Sequence, residues 1–122
     1  MIVEVLGDTV VLVRSWRYDG GQQQRTAKMP DRKQIAANWE SRGFSCDLWT
    51  DAPGQRWEDF THATDELVTV LEGDMEFEVE SQLHHPRPGE ELLIPAGAVH
   101  AARNIGSTTA RWLFGYRGQT GS

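Results

Sequence analysis

Hydrophobic residues recur along this chain at two different spacings. Near the start, Val3 and Val5, then Val11 and Val13, alternate around Gly7-Asp8, which predicts two short strands joined by a tight turn. The stretch 17–28 is polar and glycine-containing with no core-facing pattern, so it reads as a loop. The spacing then becomes helical over "PDRKQIAANWESRG". Ile35 and Trp39 share a face at i,i+4, Pro30 suits a first turn, Asp31 favours the positive end, and Gly43 can close the helix. From Phe44 onward short apolar runs such as "ELVTVL" and "ELLIPAGA" alternate with glycine and proline. In "LVTVLEGDMEFEVE", Met75, Phe77 and Val79 face one way and Glu76, Glu78 and Glu80 the other, so one face is buried and one is wet. This rhythm predicts an all-β barrel or sandwich, with one helix near Asp31 to Arg42 packed outside it and a disordered tail at 119–122.

Length and charge narrow the classes of function. With 122 residues, 39% of them hydrophobic and 25% charged, the chain can bury one modest core, and one domain over 1–122 is expected. A formal charge of −6 without a long basic run argues against nucleic acid as a partner. Cys46 is the only cysteine, which excludes an intrachain disulfide and a cysteine-built zinc site. The apolar opening is broken by Glu4 and Asp8, and no run approaches the roughly 20 apolar residues that span a bilayer. A cytoplasmic protein without a membrane partner is the expectation.

Candidate chemistry gathers in "FTHATDELVTVLEG", Phe60 to Gly73. Phe60, His62 and Glu66 share parity, but on a straight strand His62 and Glu66 would lie roughly 13 Å apart at about 3.3 Å per residue, too far to share an ion. Convergence requires a bend at Ala63-Thr64-Asp65. A second segment, Gly89 to Asn104, supplies His100 after a Pro95-Ala96-Gly97 turn.

These two segments resemble the paired motifs of the cupin superfamily. Gly54, Phe60-Thr61-His62, Glu66 and Gly73 reproduce the first motif's spacing (54–73) with one substitution, and Gly89, Pro95, Gly97, His100 and Asn104 match the second (89–104). The resemblance implies a double-stranded β-helix of the jelly-roll kind, and by family analogy a homodimer. It also implies that His62, Glu66 and His100 hold one divalent metal ion. Phe60 departs from the motif, since metal-binding cupins usually carry a histidine there, so three of the family's four ligands are on offer. Two histidines and a carboxylate suit Fe(II) or zinc, with manganese and nickel also chemically acceptable. Phe60, Trp57, Val68 and Phe77 are expected to line the pocket. The resemblance is compatible with oxygenase or with isomerase or lyase chemistry on a small molecule. The alternative is a metal-free binding or sensing module in which the same three residues hydrogen-bond to one another and to water.

Other polar residues have plainer readings. Asp59 and Asp65 are expected as solvated acids, and His84 and His85 as surface residues in a loop. Trp39, Trp49 and Trp112 are expected mainly in core or interface, with Trp57 kept for the pocket mouth. Arg103 and Arg111 could hold an anion but are expected to be solvated, and Cys46 is expected to be a small buried hydrophobe.

Overall fold

A computed structural model describes residues 2–6, 9–15 and 31–118. The loop expected at 17–28 and the tail at 119–122 lie outside the described residues. Among the described residues ten strands form two sheets, and every strand pairing is antiparallel. The larger sheet contains β1 (Ile2–Leu6), β2 (Thr9–Ser15), β3 (Asp47–Asp51), β5 (Glu66–Glu72), β8 (Glu90–Ile94) and β10 (Ala110–Tyr116), in the order β1-β2-β8-β5-β10-β3. The smaller contains β4 (Arg56–Phe60), β6 (Met75–Val79), β7 (Gln82–His84) and β9 (His100–Asn104), in the order β4-β9-β6-β7. Chain neighbours are repeatedly separated in the sheets, as the crossovers of a jelly roll require.

The alternation of side chains explains how two cores share one sheet. On β5, Val68 and Val70 face the space between the sheets, where they join Phe77, Val79, Leu92, Ile94 and Trp112. Leu67 and Leu71 point the opposite way and meet Leu113, Phe44 and the helix α1 (Arg32–Ser41) through Ile35 and Trp39. Both faces of β5 are therefore covered, and residues 66 to 71 are all buried. β6 has the predicted alternation, with Met75, Phe77 and Val79 buried, but the turn at Gly73-Asp74 carries the chain from one sheet to the other, so β5 and β6 do not pair as the hairpin their sequence suggests.

The helix starts at Arg32, with Asp31 as its N-cap and not within its first turn. Asp31 accepts hydrogen bonds from the amides of Lys33 and Gln34, a cap of about 1 kcal/mol. The helix is also clamped by charge. The Glu91 carboxylate, fully buried on β8, accepts from Trp39 Nε1 at 3.0 Å and from Arg42 Nη1 and Nη2 at 3.0 and 2.7 Å. β10 passes so close to Ser45, just ahead of the edge strand β3, that a Cβ on Gly115 would lie 1.8 Å from the Ser45 carbonyl oxygen, so this crossing requires glycine. No helix among the described residues is long and apolar enough to cross a membrane.

Candidate metal centre

The two motif segments meet at one end of the space between the sheets. β4 ends at Phe60, the chain bends at Ala63-Thr64, and β5 begins at Glu66, so His62 lies on the bend and folds back over Glu66. The bend is stitched to the turn that precedes His100. Gly97 N–H donates to the His62 carbonyl at 2.9 Å, and Ala96 N–H donates to Asp65 Oδ1 at 2.8 Å. Gly97 has φ +81°, the left-handed region that glycine tolerates. Arg117, just after β10, closes the stitch by pairing with Asp65 Oδ2 at 2.9 Å. Burial pushes the Asp65 carboxyl up, but the Ala96 N–H and the Arg117 guanidinium outweigh it and hold the group below its usual range. Asp65 is thus a half-buried structural acid rather than the solvated one expected.

His62, Glu66 and His100 come together so that one ligand atom from each lies within 4.8 Å of the others, an arrangement able to coordinate a divalent metal. Glu66 Oε1 is 3.2 Å from His100 Nε2 and 3.6 Å from His62 Nε2. His100 Nδ1 lies 3.0 Å from the Ala98 carbonyl oxygen, which only accepts, so the proton sits on Nδ1 and Nε2 turns a lone pair toward Glu66 in the neutral ring. Oε1 of Glu66 is buried and has no hydrogen-bond partner. Burial pulls the His100 pKa down, yet the Glu66 carboxylate and the Ala98 carbonyl together raise it above the ordinary value. The Tyr116 hydroxyl lies 3.3 Å from His62 Nε2.

Above these three residues is an aromatic chamber of about 210 Å³. Trp57, Phe60, Val68 and Phe77 line it, and so do Trp49, Trp112, Phe114 and Tyr116, which the hydrophobic pattern did not single out for the pocket. Trp57 and Phe60 have opposite parity yet share the cavity because β4 carries an extra residue. Trp57 pairs with Ala102 and Phe60 with His100, and Asp59 between them takes φ +60° as the bulge turns Phe60 inward. Asp59 itself is exposed. The indoles are fixed from behind by one carboxylate: Asp51 Oδ1 accepts from Trp49 Nε1 and Trp57 Nε1 at 2.9 Å each, and Oδ2 from Trp112 Nε1 at 3.0 Å.

The remaining candidates lie away from this end of the fold. Trp39 is in the helix core. Arg103 is not solvated but donates to Glu58, Glu76 and Glu78 on the smaller sheet, and Arg111 pairs with Glu72. His84 ends β7 instead of lying in a loop and is half-buried, while the exposed His85 lies 3.0 Å from Glu76 Oε2. Cys46 is half-buried, and burial pushes its thiol up to about 11, which removes it as a nucleophile at neutral pH.

A family model described as a cupin domain matches residues 47–116. The curated proteins yield no significant match. Among solved structures the chain is similar to a conserved protein of unknown function from Streptococcus pyogenes, at 20% identity and a TM-score of 0.56 over 62% of this chain and 64% of that one. It is similar to the DMSP lyase DddQ from Ruegeria pomeroyi at 22% identity and a TM-score of 0.57, over 66% of this chain and 41% of that one. Salicylate 1,2-dioxygenase from Pseudoaminobacter salicylatoxidans matches at 11% identity and a TM-score of 0.55, over 62% of this chain and 20% of the enzyme. In each case the match spans less than two thirds of the other protein, and at these identities the likeness is one of fold. The family match takes in more than half of the chain, from β3 to β10, and with the jelly-roll order of its strands it makes this protein a member of the cupin family.

Proposed function

We propose that this cupin holds one divalent metal ion on His62, Glu66 and His100 and acts on a small molecule in the aromatic chamber above them. The observation that carries the reading is Glu66 Oε1, a buried carboxylate oxygen that has no hydrogen-bond donor while His100 is neutral and is faced by two imidazole nitrogens. Leaving such an atom unsatisfied costs about 1–3 kcal/mol or more for a charged group, and a cation between the three side chains removes that cost. The donor set fits Fe(II), Zn(II), Mn(II) or Ni(II). When bound, such an ion supplies Lewis-acid polarisation of a substrate oxygen at its open positions.

The chain's own residues prepare the site. The Ala98 carbonyl holds the His100 ring so that Nε2 faces the centre. Burial first, then the charges of Glu66 and Asp47, push the Tyr116 phenol up to about 12, so it stays protonated at neutral pH and can donate a hydrogen bond to a ligand oxygen, or to His62 Nε2 when no ion takes up that lone pair. Phe60, 38% exposed, places an apolar ring at the mouth of the chamber beside His62 and His100. Oxygenase chemistry and isomerase or lyase chemistry are both consistent with these parts.

One observation favours a second reading, a metal-free module that binds or senses a small molecule. Phe60 stands where metal-binding relatives usually have a histidine, and the Tyr116 hydroxyl already approaches His62 Nε2. Elemental analysis of untagged protein purified without chelators, beside His100→Ala, separates the two. Near-stoichiometric metal that the variant loses supports the metalloprotein; no metal in either protein, even after supply of Fe(II), Zn(II), Mn(II) and Ni(II), leaves the binding module. A cytoplasmic homodimer remains part of the proposal, and light scattering tests its stoichiometry.

A further inference from the structure

Six aromatic side chains at the chamber close into a ring. Successive centroids are 5.6 Å apart from Trp49 to Trp57, 6.3 Å from Trp57 to Phe60 and 6.2 Å from Phe60 to His62. The circuit continues at 4.8 Å from His62 to Tyr116, 5.9 Å from Tyr116 to Phe114 and 6.1 Å from Phe114 back to Trp49. Were the circuit flat and regular, these sides would put its centre about 6 Å from each ring, at the reach of a cation–π contact.

The charges around the ring favour a cation. The Asp51 carboxylate sits on the N–H edges of Trp49, Trp57 and Trp112, which displaces electron density toward the indole faces. Glu66 is the only carboxylate among the described residues lining the chamber, and none of them is lysine or arginine. An anion meets no basic side chain there. A primary ammonium would need several acceptors to replace its water, which an aromatic wall does not supply, whereas a methylated cation sheds water at lower cost. The chamber, about 210 Å³, admits only a compact ligand.

From this arrangement we propose that the collar binds the quaternary ammonium end of a small organic cation. The inference deepens the proposed function, since it rests on the chamber being a ligand site; an ion on His62, Glu66 and His100 would offset the Glu66 charge, so the preference is read on chelator-treated protein, with metal content taken before chelation. The test is to titrate the full chain with choline chloride and with 3,3-dimethylbutan-1-ol, its neutral carbon isostere, against sodium chloride of equal ionic strength, following binding by calorimetry. Choline is expected to bind about tenfold or more tighter than the isostere. In Trp49→Leu, at a position 40% exposed and so tolerant of change, the preference is expected to shrink to within about twofold. Equal binding of the two probes overturns the cation inference but leaves a ligand chamber. Failure of both to bind, or a choline preference undiminished in Trp49→Leu, also overturns it. Metal content measured on the same preparation reports on the triad separately, so neither failure hides the other.

Discussion

At the scale of single residues, the buried Glu66 oxygen between His62 and His100 trades stability for the capacity to hold a cation. Glu66→Gln keeps the shape and removes the buried charge. In the presence of a chelator the variant is expected to be at least as stable as the parent, by up to about 1–2 kcal/mol, and to retain no metal; melting curves and elemental analysis check both parts. Full metal occupancy in Glu66→Gln would remove the carboxylate from the proposed ligand set. Phe60 invites the opposite change. Its ring centroid is 6.2 Å from that of His62 and 6.1 Å from that of His100, and it pairs across the strands with His100. Phe60→His is therefore expected to supply a further ligand and slow the loss of metal to a chelator, measured as a dissociation time course. An unchanged rate would mean that position 60 does not reach the ion.

At the scale of elements, the helix was legible because Ile35 and Trp39 repeat at i,i+4 and Asp31 stands at the cap, and both turned out to anchor it. What fastens the helix to the sheet was not legible. In "GEELLIP" Glu91 reads as the wet side of a strand beside Leu92 and Ile94, because alternation separates the two faces but does not say that a helix covers the second one. Its carboxylate is fully buried against Trp39 and Arg42. Arg42→Met, which strands that charge, is expected to destabilise the fold by about 3–5 kcal/mol in urea unfolding. Adding Glu91→Leu to Arg42→Met should recover most of the loss, since the pair is then replaced by apolar contact. If the double variant is no better than the single, the cost lies in lost packing of the arginine stem and not in the unpaired carboxylate.

At the scale of the whole molecule, the chamber is assembled from both sheets, and this sets how much of it the chain could disclose. The smaller sheet brings Trp57, Phe60 and His100; the larger brings Trp49, Glu66, Trp112, Phe114 and Tyr116. Motif spacing pointed to the bend that unites His62 with Glu66. The walls depend instead on registers such as Trp112 opposite Trp49 and Tyr116 opposite Glu66, between strands more than forty residues apart, which periodicity cannot set. The outer face of the smaller sheet was equally hidden. There Arg103 donates to Glu58, Glu76 and Glu78 across three strands. Its hydrogen bonds pull Glu58 down to about 2 and lower Glu76, with His85 assisting at Glu76. Carboxyls lowered in the folded state contribute stability that is present above their usual 4.5 and lost as the pH falls toward the folded value. The urea midpoint of the parent should therefore exceed that of Arg103→Gln at neutral pH, and the gap should narrow from about pH 4.5 to about pH 2. Molar salt should shrink the gap at every pH, because these groups are partly open to solvent. A gap that ignores both pH and salt would assign the role of Arg103 to its apolar stem lying across the strands, and not to its charge.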